Sequence, residues 1–295
     1  MMNEFITPEA NNRSDFKPTP QQEARELLGN DRGAYSRMIQ NVRPAEQVSA
    51  EWDGVAETFV FDYRRKKDTP NALIEEPIFS AVVNGSIDGA HVLDVGTGSG
   101  WLINKMFAYG EPEAVVGLDI SYRMLEFARK FAEGKDYKDR VRWLNRPIEN
   151  STLSDDFFDV ITAYYSLDNV GDLRAALSEV NRTLKSGGWL FALIKHPERN
   201  KMYALAGTGE YHPGYNSWYY ERWPGTGEKG VWARYMEWND WLTEFNHAGF
   251  QTFMEPVDLE KNQALDSSLR RSYPQIREMY LRRPSGLIVA AQSIK

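Results

Sequence analysis

The chain has 295 residues, of which 42% are hydrophobic and 13% aromatic, with a formal net charge of −7 and no cysteine. This length provides for one large core and exceeds a bare doubly wound domain by roughly a hundred residues. The acidic balance excludes a general attraction to nucleic acid or to an anionic membrane surface, and the lack of cysteine excludes disulfides, thiolate metal sites and a cysteine nucleophile.

Residues 1–85 are predicted to form a flexible N-terminus followed by a helical lid. The first 20 or so residues are rich in Asn, Pro and Thr without periodicity, which is typical of disorder. From Gln21 to about Val83 the apolar residues recur at spacings of three and four, as in Val55, Phe59 and Tyr63. These helices also offer a surface for a homo-oligomer.

From Ala90 the sequence alternates between strand and helix patterns. The predicted strands are AHVLDV, AVVGLDI, VRWLN, FFDVITAYY and WLFALIK, and two of the helices between them are SYRMLEFARKFAE and DLRAALSEVNRTL. Gly187 and Gly188 are predicted to stop the second of these helices. The alternation predicts an α/β fold, with a doubly wound, mostly parallel sheet. QTFMEPV and GLIVAAQSI would close it to seven strands within a core of residues 86–295.

The regular pattern stops after Pro197. Residues 197–240 are predicted to be an aromatic-rich lid insertion, since Tyr and Trp crowd the sequence between Tyr203 and Trp241. Such side chains favour a flat aromatic or apolar substrate, or a cation bound on ring faces. The predicted substrate contacts are Tyr165, His212, Tyr215 and Trp218.

The run HVLDVGTGSGW, from His91 to Trp101, joins a strand to a helix through a glycine-dense turn. Its glycines let the backbone bend sharply and let a ligand approach, and a helix that begins near Ser99 would point its N–H groups toward that ligand. Trp101 stands where the dinucleotide fingerprint has its third glycine, so the turn predicts a nucleoside site with no clear place for a pyrophosphate.

Asp119 follows at the end of the next strand, where its two oxygens can accept both hydroxyls of a ribose. A simple tight turn, a nicotinamide or flavin enzyme, and a capping role for Asp119 are the alternatives that these residues leave open.

Asp94-Val95-Gly96-Thr97-Gly98-Ser99-Gly100, followed by Gly117-Leu118-Asp119-Ile120-Ser121, resembles the class I S-adenosylmethionine-dependent methyltransferases. The segments before and after are similar in order and spacing to small-molecule methyltransferases of that superfamily, so the resemblance covers roughly residues 50–295. It implies a Rossmann-like core that binds S-adenosylmethionine and an enzyme that releases S-adenosylhomocysteine.

The resemblance also implies individual roles. The glycine turn would bind the methionine part of the cofactor, and Asp119 would bind its ribose. The apolar side chains of Ile120 and Met124 would pack on its adenine. Relatives commonly have an adenine-binding aspartate where this chain has Pro147, so adenine contacts there would be apolar or from the backbone. The implied cofactor-binding residues are Tyr63, Gly96, Thr97, Gly98, Asp119, Ile120, Met124, Pro147, Ile148 and Tyr164.

Asp168 and His196 are the predicted catalytic residues. Each follows a strand end at the side where open α/β sheets bind ligands, and either could accept a proton from the methyl acceptor. A loop or capping role for Asp168 and a structural turn at His196 remain open. The four scattered histidines lack the spacing of metal ligands.

Together these features predict a cytoplasmic methyltransferase that acts on an O, N or C atom of a small metabolite in specialised biosynthesis, with no membrane or nucleic-acid partner. No hydrophobic run approaches the ~20 residues that span a bilayer. The alternatives are a protein or RNA methyltransferase, and a protein that binds the cofactor for a non-methylating purpose such as cyclisation. The fourth strand ends in Tyr165-Ser166-Leu167-Asp168, without the Asp/Asn-Pro-Pro-aromatic motif of nucleic-acid amino-methyltransferases.

Overall fold

The computed structural model describes residues 42–64, 69–197, 209–211, 218–222, 226–282 and 286–295. The helices are α1 Ala45–Thr58, α2 Glu76–Asn84, α3 Trp101–Tyr109, α4 Tyr122–Ala132, α5 Leu173–Thr183, α6 Trp238–His247, α7 Gln263–Ser272 and α8 Pro274–Arg282. Two π-helical segments, Phe59–Arg64 and Asn71–Glu75, lie between α1 and α2. The expected flexible N-terminus falls outside the described residues.

A seven-stranded sheet forms the centre of the molecule. Its strands are β1 His91–Val95, β2 Ala114–Asp119, β3 Val141–Asn145, β4 Phe158–Tyr164, β5 Leu184–Lys195, β9 Phe250–Pro256 and β10 Gly286–Ser293. Their spatial order is β3-β2-β1-β4-β5-β10-β9. The first five strands are parallel, and β10 runs antiparallel to both of its neighbours. The predicted doubly wound, mostly parallel seven-stranded sheet is therefore confirmed.

Helices cover both faces of this sheet because successive strand residues point to opposite sides. Leu93 of β1 belongs to a buried cluster with Leu177 of α5 and Trp241 of α6. Its neighbour Val92 belongs to a second cluster, with Phe79 of α2 and others on the opposite face. The strands are thus buried on both sides, and the polar residues that the sequence analysis singled out lie at their carboxyl ends.

The boundary between α5 and β5 differs from the prediction. The helix ends at Thr183, before the two glycines, and β5 begins at Leu184. Leu184 already pairs with Phe158 of β4, and the register then shifts before Val160 pairs with Trp189. Because residues 184–188 belong to a strand that pairs with β4, the helix ends earlier than predicted. Gly187 and Gly188 lie in the irregular first part of β5.

Two helices between β9 and β10 were not predicted. The Asn262 side chain caps α7 by accepting a hydrogen bond from the Leu265 N–H at 3.1 Å. Arg277 of α8 is paired with Asp266 of α7, with 2.5 Å between Nε and Oδ1. Leu269, Ile276 and Tyr280 from these helices extend the buried cluster of α2. No helix in the described ranges is long and apolar enough to cross a membrane.

Part of the aromatic insertion forms a second sheet. Its strands β6 Gly209–Tyr211, β7 Trp218–Glu221 and β8 Val231–Arg234 are antiparallel, in the order β6-β7-β8. Arg234 is 1% exposed and donates hydrogen bonds of 3.3 Å to the backbone carbonyls of Val170 and Gly171. This buried guanidinium attaches the small sheet to the loop that follows β4.

Candidate active site

A cavity opens at the carboxyl ends of β1, β2, β4 and β5, where ligands bind in open α/β sheets. It encloses about 1250 Å³ of space between atoms, part of it open to solvent. Of the residues predicted from the sequence, the following line it: Gly96, Thr97, Gly98, Asp119, Ile120, Met124, Pro147, Ile148, Tyr164 and Tyr165. The structure therefore brings these residues together, while their individual roles stay predictions.

The glycine turn has a left-handed backbone at Gly96, Gly98 and Gly100, with φ values of 67°, 55° and 75°. The N–H groups of Gly96 and Thr97 both donate to the Leu118 carbonyl, at 2.8 and 3.0 Å, which ties the turn to β2. A side chain added at Gly98 would meet no protein atom within 4 Å. Helix α3 begins at Trp101, two residues later than expected. The turn therefore extends over Gly98, where the backbone faces open space.

Asp119 is nearly buried beside this turn, with 7% of its surface exposed. Its Oδ2 accepts a hydrogen bond from the Gly98 N–H at 2.7 Å, and its Oδ1 accepts one from the Ser121 N–H at 2.8 Å. Burial raises the pKa of this carboxyl to about 6. Since a carboxylate has roughly four lone-pair sites, Asp119 can also accept hydroxyl donors from the cavity side.

Asp94, at the carboxyl end of β1, is a second acidic group in the wall. Its Oδ1 accepts a hydrogen bond from the Thr162 hydroxyl at 2.7 Å, and burial raises its pKa to about 6. Its Oδ2 and the Thr97 Oγ1 are buried and make no hydrogen bond of 3.5 Å or less in the described part of the chain, although the Thr97 side chain lies close enough to lower the pKa of Asp94. Buried polar atoms usually have partners, so these two atoms fit a ligand that donates hydrogen bonds.

The helical region before β1 covers the cavity. Val48, Trp52 and Phe59 contribute to its lining. Asp53 Oδ1 accepts hydrogen bonds from the Ser121 hydroxyl at 2.6 Å and from the Arg123 N–H at 3.1 Å. The Ser49 hydroxyl donates to the Ile120 carbonyl at 3.0 Å. Helix α1 is thus fastened to the loop that carries Asp119 into α4.

The two predicted catalytic residues do not line the cavity. Asp168 is fully buried behind its wall, and Asp168 Oδ1 accepts a hydrogen bond from the Lys195 N–H at 3.1 Å. This hydrogen bond directs the Asp168 Oδ1 to the backbone at the end of β5, and the expected catalytic role of Asp168 stays a prediction. His196 follows β5 and is half-buried outside the lining.

The remaining predicted site residues are placed only in part. Tyr63 belongs to the π-helical segment Phe59–Arg64, and Trp218 begins β7. His212 and Tyr215 lie outside the described residues. Their proposed contacts with cofactor and substrate stay predictions.

Asn71, Lys195 and Glu221 are among the cavity residues that were not predicted from the sequence. The Asn71 side-chain oxygen accepts a hydrogen bond from the Tyr164 hydroxyl at 3.2 Å. Lys195 and Glu221 form an ion pair in the wall, with 2.6 Å between Nζ and Oε2. Lys195 ends a predicted strand, and that position could have identified it. Nothing in the sequence around Glu221 predicts a site residue, apart from its position as a charged residue next to several aromatic ones.

The comparisons with known proteins agree with this geometry. Residues 93–192 match the family described as methyltransferase domain. Over 117 residues the chain is 33% identical to the ubiquinone/menaquinone biosynthesis C-methyltransferase UbiE of Geobacter sulfurreducens, which covers 39% of this chain and 46% of that relative. The chain spans about half the length of the curated relatives it matches.

Two solved structures show the same fold. An S-adenosylmethionine-dependent methyltransferase from Mesorhizobium loti has a TM-score of 0.56 and 21% identity, over 73% of this chain and 96% of that one. The cyclase SpnF has a TM-score of 0.58 and 18% identity, over 85% of this chain and 97% of that one. Residues 93–192 therefore match a methyltransferase domain, and the chain shares the fold of a solved S-adenosylmethionine-dependent methyltransferase.

Proposed function

We propose that this protein is an S-adenosylmethionine-dependent methyltransferase that acts on an O, N or C atom of a small aromatic or apolar metabolite. The observation that carries the proposal is a single cavity in which the glycine turn and Asp119 adjoin a wall of aromatic rings. Those rings belong to Trp52, Phe59, Trp101, Tyr164 and Tyr165. The cavity thus offers space for a nucleoside and for a flat acceptor beside it.

The polar groups of the cavity fit the cofactor. Asp119 would accept the ribose hydroxyls, and the buried Asp94 Oδ2 and Thr97 Oγ1 would bind polar groups of the methionine part. Met124 and Ile148, which are 2% and 3% exposed, would form an apolar slot for the adenine. In this arrangement Tyr164 and Asn71 would position the end of the cavity nearest the acceptor.

S-adenosylmethionine supplies a methyl group that is already activated on a sulfonium. The residues of this chain therefore have to bring the acceptor into line and exclude water. Proximity of this kind contributes up to roughly 7–11 kcal/mol in favourable cases. Helix α1 and the small sheet would close over the cavity as the predicted lid, because α1 is bonded to the Asp119 loop and Arg234 anchors β8.

A second candidate is a protein that binds the cofactor without methyl transfer, as in a cyclisation. The shared fold with the cyclase SpnF favours this alternative. The two functions differ in their products, because methyl transfer releases S-adenosylhomocysteine and the second function leaves the cofactor intact.

Calorimetric titration tests the cofactor site. We expect wild-type protein to bind S-adenosylmethionine and Asp119→Ala to bind it at least tenfold more weakly, whereas binding of NAD instead would refute the proposal. Incubation with a panel of aromatic and prenylated metabolites then tests the reaction. Release of S-adenosylhomocysteine together with a mass gain of one CH2 unit supports methyl transfer, and turnover of a metabolite without either supports the second candidate.

A further inference from the structure

One side of the cavity carries a buried ion pair that the cofactor contacts proposed above do not use. Lys195 is the last residue of β5 and Glu221 the last of β7, and they are 5% and 6% exposed. Their Nζ and Oε2 atoms are 2.6 Å apart, and both side chains line the cavity. Asp168 fixes the end of β5 by accepting a hydrogen bond from the Lys195 N–H. The pair is therefore a fixed charged patch in a wall that also carries aromatic rings.

The position of this pair is better explained by recognition than by stability. Two charges removed from water lose hydration that their mutual attraction only partly restores, so buried pairs often contribute little to stability. When a bound ligand displaces water from the cavity, however, the same two charges act strongly on the ligand groups that contact them. Lys195 and Glu221 therefore point to an acceptor group that interacts with both.

We propose that Lys195 and Glu221 bind the acceptor hydroxyl of a phenol or an enol, with Glu221 as proton acceptor and Lys195 as partner of the oxygen; this rests on the proposed function. The pair is neutral overall, so it selects neither a cation nor an anion. A hydroxyl donates to the carboxylate, accepts from the ammonium and keeps a second lone pair on its oxygen. A neutral amine has one lone pair, which Lys195 would occupy. The aromatic rings of the wall supply flat surfaces for the rest of the acceptor.

The proposed step balances without an oxidant or a reductant. The acceptor proton moves to a Glu221 carboxylate oxygen, and the Lys195 ammonium stabilises the negative charge on the acceptor oxygen. That oxygen then takes up the methyl group, and the electron pair of the broken carbon–sulfur bond stays on the sulfur. If a ring carbon conjugated with the oxygen attacks instead, that carbon afterwards loses its own proton to water and the oxygen is reprotonated. Glu221 afterwards releases its proton to water.

The test uses 4-nitrophenol, whose ionised form has a visible absorption band, with protein saturated by S-adenosylhomocysteine. We expect Glu221→Gln to lower the apparent pKa of the bound probe by about one unit or more, because the negative charge beside Lys195 and the probe oxygen is then removed. Lys195→Met should raise it by about one unit or more, a tenfold change in each case. The matched control is Lys185→Met, which removes an exposed ion pair with Asp159, also 2.6 Å long, at the other end of β5. It should leave the pKa of the probe unchanged.

A lone buried charge can prevent folding, so a double variant completes the test. Lys195→Met combined with Glu221→Met removes both charges, which buried pairs often tolerate. It should fold, bind S-adenosylhomocysteine as wild type does, and bind 4-nitrophenol at least tenfold more weakly. The inference is overturned if the loaded wild type does not bind the probe, or if neither its pKa nor its affinity responds to these substitutions. Failure of the wild type to bind S-adenosylhomocysteine would instead refute the proposed function.

Discussion

Alanine substitutions at Gly96 and Gly98 distinguish the contribution of the glycine turn to stability from its proposed contribution to cofactor binding. Gly96 and Gly98 both have a left-handed backbone, in which a side chain is disfavoured by about 1–2 kcal/mol. At Gly96 the added Cβ would also lie 2.3 Å from the Ser166 Cβ, whereas at Gly98 it would enter the cavity without meeting protein. Overpacking adds about 1–3 kcal/mol. We therefore expect Gly96→Ala to lose about 2–5 kcal/mol of unfolding free energy, and Gly98→Ala about 1–2.

Urea unfolding of the free protein and calorimetry with S-adenosylhomocysteine measure the two effects. Gly98→Ala should weaken binding more than tenfold, since its methyl group occupies cofactor space. Gly134→Ala is the matched control, because Gly134 has a φ of 75°, open space around it and a position at the end of α4 outside the cavity lining. It should lose the same 1–2 kcal/mol or so and bind as wild type. Wild-type affinity in Gly98→Ala, or equal stability of Gly96→Ala and Gly98→Ala, would refute the reasoning.

Three further predictions concern charged groups. Burial raises the pKa of Asp119 from 3.8 to about 6, so its ionisation destabilises the folded free protein as the pH rises through 6. Urea unfolding should therefore show the wild type losing about 1.4 kcal/mol of unfolding free energy relative to Asp119→Asn between pH 5 and pH 7. A difference in unfolding free energy between the two proteins that stays the same over this range would contradict the prediction. Glu244→Gln breaks a bidentate pair with Arg174 at 2.8 and 2.9 Å and should lose about 1.5–3 kcal/mol, whereas Lys261→Met, from an exposed pair with Glu255, should lose less than about 1. Asp53→Ala should weaken S-adenosylhomocysteine binding several-fold by releasing α1 from Ser121, with Glu57→Ala on the exposed side of the same helix as the calorimetric control.

The central sheet, and the lining of the cavity around the glycine turn and Asp119, could be predicted from the sequence because both depend on local patterns. The apolar strand, the glycine turn and the acidic residue at the next strand end lie within about thirty residues, from His91 to Asp119. Each has a direct physical reading. The same locality explains why α4 begins where Ser121 caps it, as its side chain accepts the Met124 N–H at 3.1 Å.

The acceptor side depends on contacts between distant parts of the chain. Glu221 meets Lys195 across an insertion, and Asn71 meets Tyr164 from before the sheet begins. Contacts between residues so far apart in the chain cannot be predicted from hydrophobic periodicity. Asp168 shows the same limit, because its position after a strand end predicted a carboxylate facing the methyl group and did not predict the hydrogen bond that Asp168 Oδ1 accepts from the Lys195 N–H. Helices α7 and α8 were missed because their apolar residues, such as Leu269 and Tyr280, are separated by charged residues that face solvent.

The hydrogen bonds between α1 and the loop from Asp119 to α4 affect how fast the proposed enzyme could exchange its cofactor. Three hydrogen bonds, from the groups of Ser49, Ser121 and Arg123, would break if the helix lifted. At about 0.5–1.5 kcal/mol each, they correspond to roughly one open molecule in 10 to 2000 at any moment. We expect exchange of used for fresh donor to occur only during those openings. A firmer attachment would shield the reaction from water for longer and delay the next turnover, so these few bonds set a compromise between retention and rate.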